Sequence, residues 1–172
     1  MPLVTLPEAI QQRERWRESG WTVVLTNGCF DLLHVGHVTY LTQARALGDA
    51  LIVGVNDDAS VRRLKGPGRP LVPAVERATL VAALAAVDLA IIFEGDTASE
   101  LVRALRPDIY AKGGDWGEPS GRRLPEWEAA QAVGAAVYFL PYLPGHSTSW
   151  LIQRILNQMG AVLPYGSGGD PR

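Results

Sequence analysis

Cysteine is nearly absent: Cys29 is the only one among 172 residues. An intramolecular disulfide is therefore excluded, and a reducing, cytoplasmic setting is the simplest expectation. An excess of one charge is lacking too. Sixteen Lys and Arg stand against 18 Asp and Glu, so no global basic field points to nucleic acid or to an anionic membrane surface. No apolar run approaches the ~20 residues that span a bilayer, and the opening MPLVTLPEAIQQRERWRESG has no apolar stretch of signal-peptide length. No internal repeat of solenoid period is visible. Histidine is scarce, with three in all, yet two of them stand three residues apart.

What remains is a globular balance, 47% hydrophobic and 20% charged, in a chain long enough for one well-buried domain. Short apolar runs at 22–28, 50–56, 87–93, 108–114 and 136–141 have strand composition. Helices are predicted at 7–19, 35–47, 74–86, 97–105, 124–133 and 147–159, with one or two turns at 57–63 and a Gly/Pro loop at 65–73. The strands are continuous apolar runs rather than in-out alternations, as expected when both faces of a sheet are covered. The pattern implies an α/β fold: a single Rossmann-like, doubly wound, five-stranded parallel sheet with helices on both faces. Residues 1–20 read as a helical extension, 21–160 as the domain, and the Gly-rich 161–172 as a flexible tail.

Ligands of such sheets sit at the carboxyl ends of the strands, and four motifs fall there. In TNGCFDLLHVGHVTYL, His34 and His37 open the second helix on one face, with Gly36 leaving room between them. A helix N-terminus attracts anions, and two imidazoles add donors, so this is a phosphate site. Zinc would want further ligands, for which only His146 and Cys29 are candidates, and their spacing is not that of a metal site. Asp31 either orients the histidine loop or a metal-bound water, or caps local N–H groups. Cys29 reads as a small buried residue. The second motif, RRLKGPGRP, gathers Arg62, Arg63, Lys65 and Arg69 in a basic loop suited to closing over phosphates. The third, AKGGDW, ends strand four. Gly113 and Gly114 permit close backbone approach, Lys112 carries charge to an acidic substrate, and Asp115 can accept from a ribose or a base amine. In the fourth, PGHSTSWLIQRI, Ser147, Thr148 and Ser149 open the last helix with more hydroxyls than a cap needs.

NGCFDLLHVGH resembles the signature of the HxGH nucleotidyltransferases, the cytidylyltransferase-like superfamily. The ordered set from TNGCFDLLHVGHVTYL through VNDDASVRRLKGPGRPLVP and LRPDIYAKGGDW to LPGHSTSWLIQRI, over roughly residues 22 to 156, is most similar to the adenylyltransferase domain of bacterial ADP-heptose synthases. The resemblance implies transfer of AMP from ATP to a heptose 1-phosphate with release of pyrophosphate. It leaves CTP with glycerol 3-phosphate, or an ATP-sensing module, as alternatives. It implies that His34 and His37 bind the nucleotide's phosphates and stabilise the transition state, with Lys65 as a phosphate-binding lysine. Asn27, Gly28, Cys29, Phe30, Gly36, Arg77, Gly114, Asp115, Ser147, Thr148 and Ser149 would lie along the nucleotide. Asp31, Arg63, Lys112 and Trp116 would lie along the acceptor. Mg²⁺ is expected on the substrate's phosphates, with no metal held by the protein alone. In many bacteria a sugar kinase is fused ahead of this domain. None precedes it here, so a separate kinase is expected. Relatives are often dimers, although no stripe of the sequence marks an interface. PAVERATL stands where the resemblance leads one to expect a more acidic turn.

Overall fold

A computed structural model of the chain describes residues 3–114 and 124–160. Five strands form one parallel sheet: β1 (Val23–Gly28), β2 (Ala50–Asn56), β3 (Leu89–Phe93), β4 (Ile109–Gly113) and β5 (Ala136–Leu140), in the order β3-β2-β1-β4-β5. Seven helices accompany them among the described residues: α1 (Leu6–Glu18), α2 (Val35–Arg45), α3 (Asp58–Lys65), α4 (Ala74–Ala82), α5 (Ser99–Leu105), α6 (Trp127–Val133) and α7 (Thr148–Gly160). The doubly wound parallel sheet expected from the apolar runs is the architecture found.

Alternate residues of the central strands face opposite layers, as a period of two dictates. Val23, Leu25, Ile52, Ile91 and Tyr110 pack with Ala9 of α1, Leu101 and Val102 of α5, and Ala129 and Ala130 of α6. Val24, Leu51, Val53, Ala90 and Ala111 pack with Leu41 and Ala44 of α2 and Ala78 and Val81 of α4. The first helix is tied into the same body. The Arg13 guanidinium is buried and donates to the Arg106 carbonyl at 2.8 Å and to Asp108, while the Val4 N–H reaches the Ala90 carbonyl.

Some boundaries differ from the sequence-based expectation for local reasons. The short helix after β2 runs to Lys65. Asp57 caps it by accepting from the Ser60 N–H at 2.9 Å, and Gly66 ends it at φ +99°, in the left-handed region that glycine tolerates. The helix predicted from 74 stops at Ala82, and the one predicted from 124 begins at Trp127. The expected flexible tail, and the expected site residues Asp115 and Trp116, lie outside the described residues.

The pairing of β1 places the site. Six residues, Val23 to Gly28, pair with β2, but only Val24 and Leu25 pair with β4. Beyond them the two strands part at their carboxyl ends. This is the point where the strand order reverses, the usual crevice of such sheets.

Candidate active site

Side chains bridge the crevice where backbone pairing stops. The Tyr40 hydroxyl of α2 donates to the Ala111 carbonyl at 3.1 Å, so Thr26 is the donor in the 2.6 Å bond between the two hydroxyls. On the other face of the sheet, Tyr110 and Lys112 both donate to Asn27 Oδ1, at 2.5 and 2.9 Å, and Lys112 lies 3.5 Å from the buried carboxylate of Glu126. Asn27 and Lys112, expected on nucleotide and acceptor respectively, thus meet each other. Burial pushes the titrations of Tyr40 and Tyr110 up, so both phenols remain hydrogen-bond donors at neutral pH.

After β1 the chain turns through two non-glycine residues in the left-handed region, Phe30 at φ 50° and Leu32 at φ 55°. Each costs on the order of 1–3 kcal/mol and persists only where the surroundings over-determine it. Here the surroundings are visible. The buried Asp31 carboxylate accepts from Arg69 and from the N–H groups of Leu71 and Val72, at 2.9 and 3.0 Å for the two amides. Burial pushes this carboxyl up, but the amide and guanidinium donors more than offset it and hold it below the usual carboxylate range. Asp31, expected along the acceptor or as a loop orienter, is therefore engaged as an anchor for the basic loop. Phe30 is buried, its ring edge-on to His37 at 5.4 Å, and a Cβ at Gly28 would come within 3.1 Å of that ring.

His34 precedes α2 and His37 completes its first turn. Their rings stack, with centroids 3.9 Å apart and planes 25° apart. His37 Nδ1 accepts a long 3.4 Å bond from the His34 N–H, which leaves the neutral ring's proton on Nε2. Burial, then the neighbouring charge of His34, lowers His37 to about 4. Burial and the charge of His146 lower His34. At neutral pH the free site thus holds a neutral His37 whose Nε2–H is a donor. His34 Nδ1 is enclosed without a partner. A Cβ at Gly36 would stand 3.0 Å from the His34 ring and 3.1 Å from His146 Cβ, so only glycine leaves this spot open.

The opening turn of α7 closes the site from the other side. Ser147 accepts from the Trp150 N–H at 3.1 Å, and Thr148 donates to the Asp31 carbonyl at 2.7 Å. Ser149 is exposed beside them. Lys65 is exposed at the end of α3, and its charge reaches Cys29, whose thiol burial nevertheless pushes up. A protonated thiol is a poor nucleophile.

The other predicted residues are distributed unevenly. Arg63 is exposed and paired with Asp96 at 2.7 Å. Arg77, expected along the nucleotide, is wholly enclosed. It donates to the carbonyls of Val72, Cys29 and Asn56 and to Asp58, so it binds the ends of β1 and β2 to the loop ahead of α4. Gly114 is exposed, and a Cβ there would lie 2.8 Å from the Leu140 carbonyl. Sequence reasoning missed Glu126, which lies in no motif, and also Tyr40 and Tyr110, whose motifs were read for other residues. It also missed the tie between Arg69 and Asp31, whose 38-residue separation gives no local signal.

A family model described as cytidylyltransferase-like matches residues 25–149. The chain is 52% identical over 153 residues to the bifunctional protein HldE of Magnetococcus marinus, covering 87% of this chain and 30% of that protein. It is 47% identical to the HldE of Acidiphilium cryptum, over 89% of this chain and 31% of that one. It thus spans about a third of the length of the curated relatives it matches. A crystal structure of the lipopolysaccharide core biosynthesis protein from Thermoplasma volcanium superposes with a TM-score of 0.59 at 29% identity, over 72% of this chain and 98% of that one. With the paired imidazoles seated on the first turn of α2 and the match running from β1 through the start of α7, the chain belongs to the cytidylyltransferase-like family and is a nucleotidyltransferase.

Proposed function

We propose that this chain transfers AMP from ATP to heptose 1-phosphate, giving ADP-heptose and pyrophosphate. The observation that carries the reading is the stacked His34–His37 pair at the carboxyl end of the central strand, with the hydroxyl-bearing turn of α7 fastened beside it. The names borne by the relatives, HldE and a lipopolysaccharide core biosynthesis protein, support the acceptor, together with the KGPGRP and KGGDW motifs.

In this reaction an oxygen of the sugar phosphate bonds to the α-phosphorus. The bond from that phosphorus to the bridging oxygen breaks, and its electron pair leaves with pyrophosphate. The nucleophile is already anionic at neutral pH, so positioning and charge neutralisation do the work rather than a general base. His37 offers its Nε2–H to an α-phosphate oxygen, with His34 alongside. Lys65 and the N–H groups opening α7 at Thr148 and Ser149 receive the departing pyrophosphate. Lys112 and Gly114 would meet ribose or sugar, a role the resemblance extends to Asp115 and Trp116. Among the described residues no three His, Cys, Asp or Glu side chains gather to hold a metal, and Asp31 is fully engaged. Magnesium would arrive on the triphosphate oxygens and neutralise charge there.

A sugar kinase would supply the phosphorylated acceptor, and the cytoplasm would supply the ATP. A homodimer would cover α7, whose Ile155, Leu156 and Met159 stand exposed on one side. The test is pyrophosphate release with ATP or CTP, each against heptose 1-phosphate and glycerol 3-phosphate. Release confined to ATP with heptose 1-phosphate, and lost in His37→Ala, is the expected result. Release only with CTP would overturn the substrates while keeping the histidine chemistry. No release with any pair would overturn the reading.

A further inference from the structure

We propose that His146 is a third anion-binding imidazole of this site, gripping the β- and γ-phosphates from the α7 side. The inference rests on the nucleotidyl-transfer reading above. It starts from Gly36, where an added Cβ would meet the His34 ring on one side and His146 Cβ, at 3.1 Å, on the other. The backbone carrying His146 therefore lies against the first turn of α2, beside the histidine pair. That approach is held in place by the 2.7 Å bond from Thr148 to the Asp31 carbonyl, two residues further on. The ring itself is exposed, with Trp150 bordering it at 6.2 Å.

Its hydrogen bonding decides which end can meet a ligand. His146 Nδ1 lies 2.9 Å from the Pro144 carbonyl. A carbonyl only accepts, so Nδ1 carries a proton and Nε2 is the nitrogen left to face outward. A phosphoryl oxygen is also an acceptor. For Nε2 to donate to it, the ring must take up a second proton and become an imidazolium, which then adds a full positive charge opposite the phosphates. Its neighbours suit an anion. The His34 ring lies across Gly36 from it, and the Arg154 guanidinium stands one turn beyond Trp150, over the indole at 5.3 Å. The Asp31 carboxylate is turned to Arg69 and the 71–72 amides instead. A phosphate chain whose α-group sits on the histidine pair would extend toward the α7 turn, where His146, Thr148 and Ser149 are gathered.

The test uses the full chain and calorimetric titration with ATP, AMP and inorganic pyrophosphate. His146→Gln should weaken ATP and pyrophosphate roughly five- to tenfold, in line with loss of one charge-assisted bond, and leave AMP unchanged. His146→Arg should restore both, because charge rather than ring shape is required. In turnover, the Gln variant should raise the KM for ATP more than it lowers kcat, with an unchanged melting temperature. If the Gln variant binds ATP and pyrophosphate as tightly as the parent, while His37→Ala does not, the role of His146 is overturned and nucleotidyl transfer stands. If ATP, AMP and pyrophosphate weaken together and Arg fails to rescue, His146 merely shapes the turn and the proposal is likewise overturned. If the parent chain binds neither ATP nor pyrophosphate, both readings fall together.

Discussion

His37 makes the clearest prediction at the scale of the residue. Its folded-state value is about 4 against an ordinary 6.5, so between those limits the unfolded chain binds more protons than the folded one. Folding stability should therefore fall as pH drops from 6.5 toward 4, by up to about 3 kcal/mol. The lowered titration of His34 acts in the same direction. Urea midpoints across this range should slope in the parent and flatten in His37→Gln. Near neutral pH, His37→Ala should instead cost roughly 10²-fold in kcat, the scale of losing one preorganised donor. Arg77 behaves in the opposite way. Arg77→Met would strand Asp58 and three carbonyls, so it should lower stability by more than ~3 kcal/mol, seen as a shifted denaturation midpoint. The histidine pair was legible in the sequence because three-residue spacing on a helix is a geometric fact. The placement of Arg77 was not, because an arginine in an alanine-rich helix looks the same whether it faces a ligand or a ring of carbonyls.

Among elements, the basic loop and the histidine loop act as one piece through Asp31. Asp31→Asn should release Arg69 and weaken the two amide bonds, destabilising by about 3 kcal/mol. Faster proteolytic cleavage within residues 66–73 is the local sign to measure. Gly36→Ala should push His34 and His146 apart and raise the KM for ATP, with little change in melting temperature. The order of strands and helices was readable from apolar runs and breakers, and Gly66 and Gly134 ended their helices as glycine should. The contact between α7 and the β1–α2 loop was not readable. Thr148 and Asp31 are 117 positions apart, and nothing local announces their bond.

At the scale of the whole molecule, the two sides of the sheet are unequally joined. α7 and β5 carry exposed large apolar residues, among them Phe139, Trp150 and Leu156. Light scattering should therefore give the mass of a dimer, and Leu156→Glu that of a monomer. Alternating short strands and helices made the parallel sheet legible, but the identity of each strand's neighbours came only with the fold. The weakest line in that sheet runs between β1 and β4, where two register pairs replace the six that join β1 to β2. One half, from β1 to β3, is linked by neighbours close in sequence. The other, β4 with β5, closes onto it from some 85 positions away, as the pairing of Val24 with Ile109 records. Long loops of this kind are slow to close. The chain should therefore assemble its first half early and its second half late, so that hydrogen exchange in β4 and β5 outpaces exchange in β1 and β2. A nucleotide lodged at that seam would act as a late rivet. The last part of the protein to fold is then the part that completes the site, bringing the α7 turn up to the histidine pair.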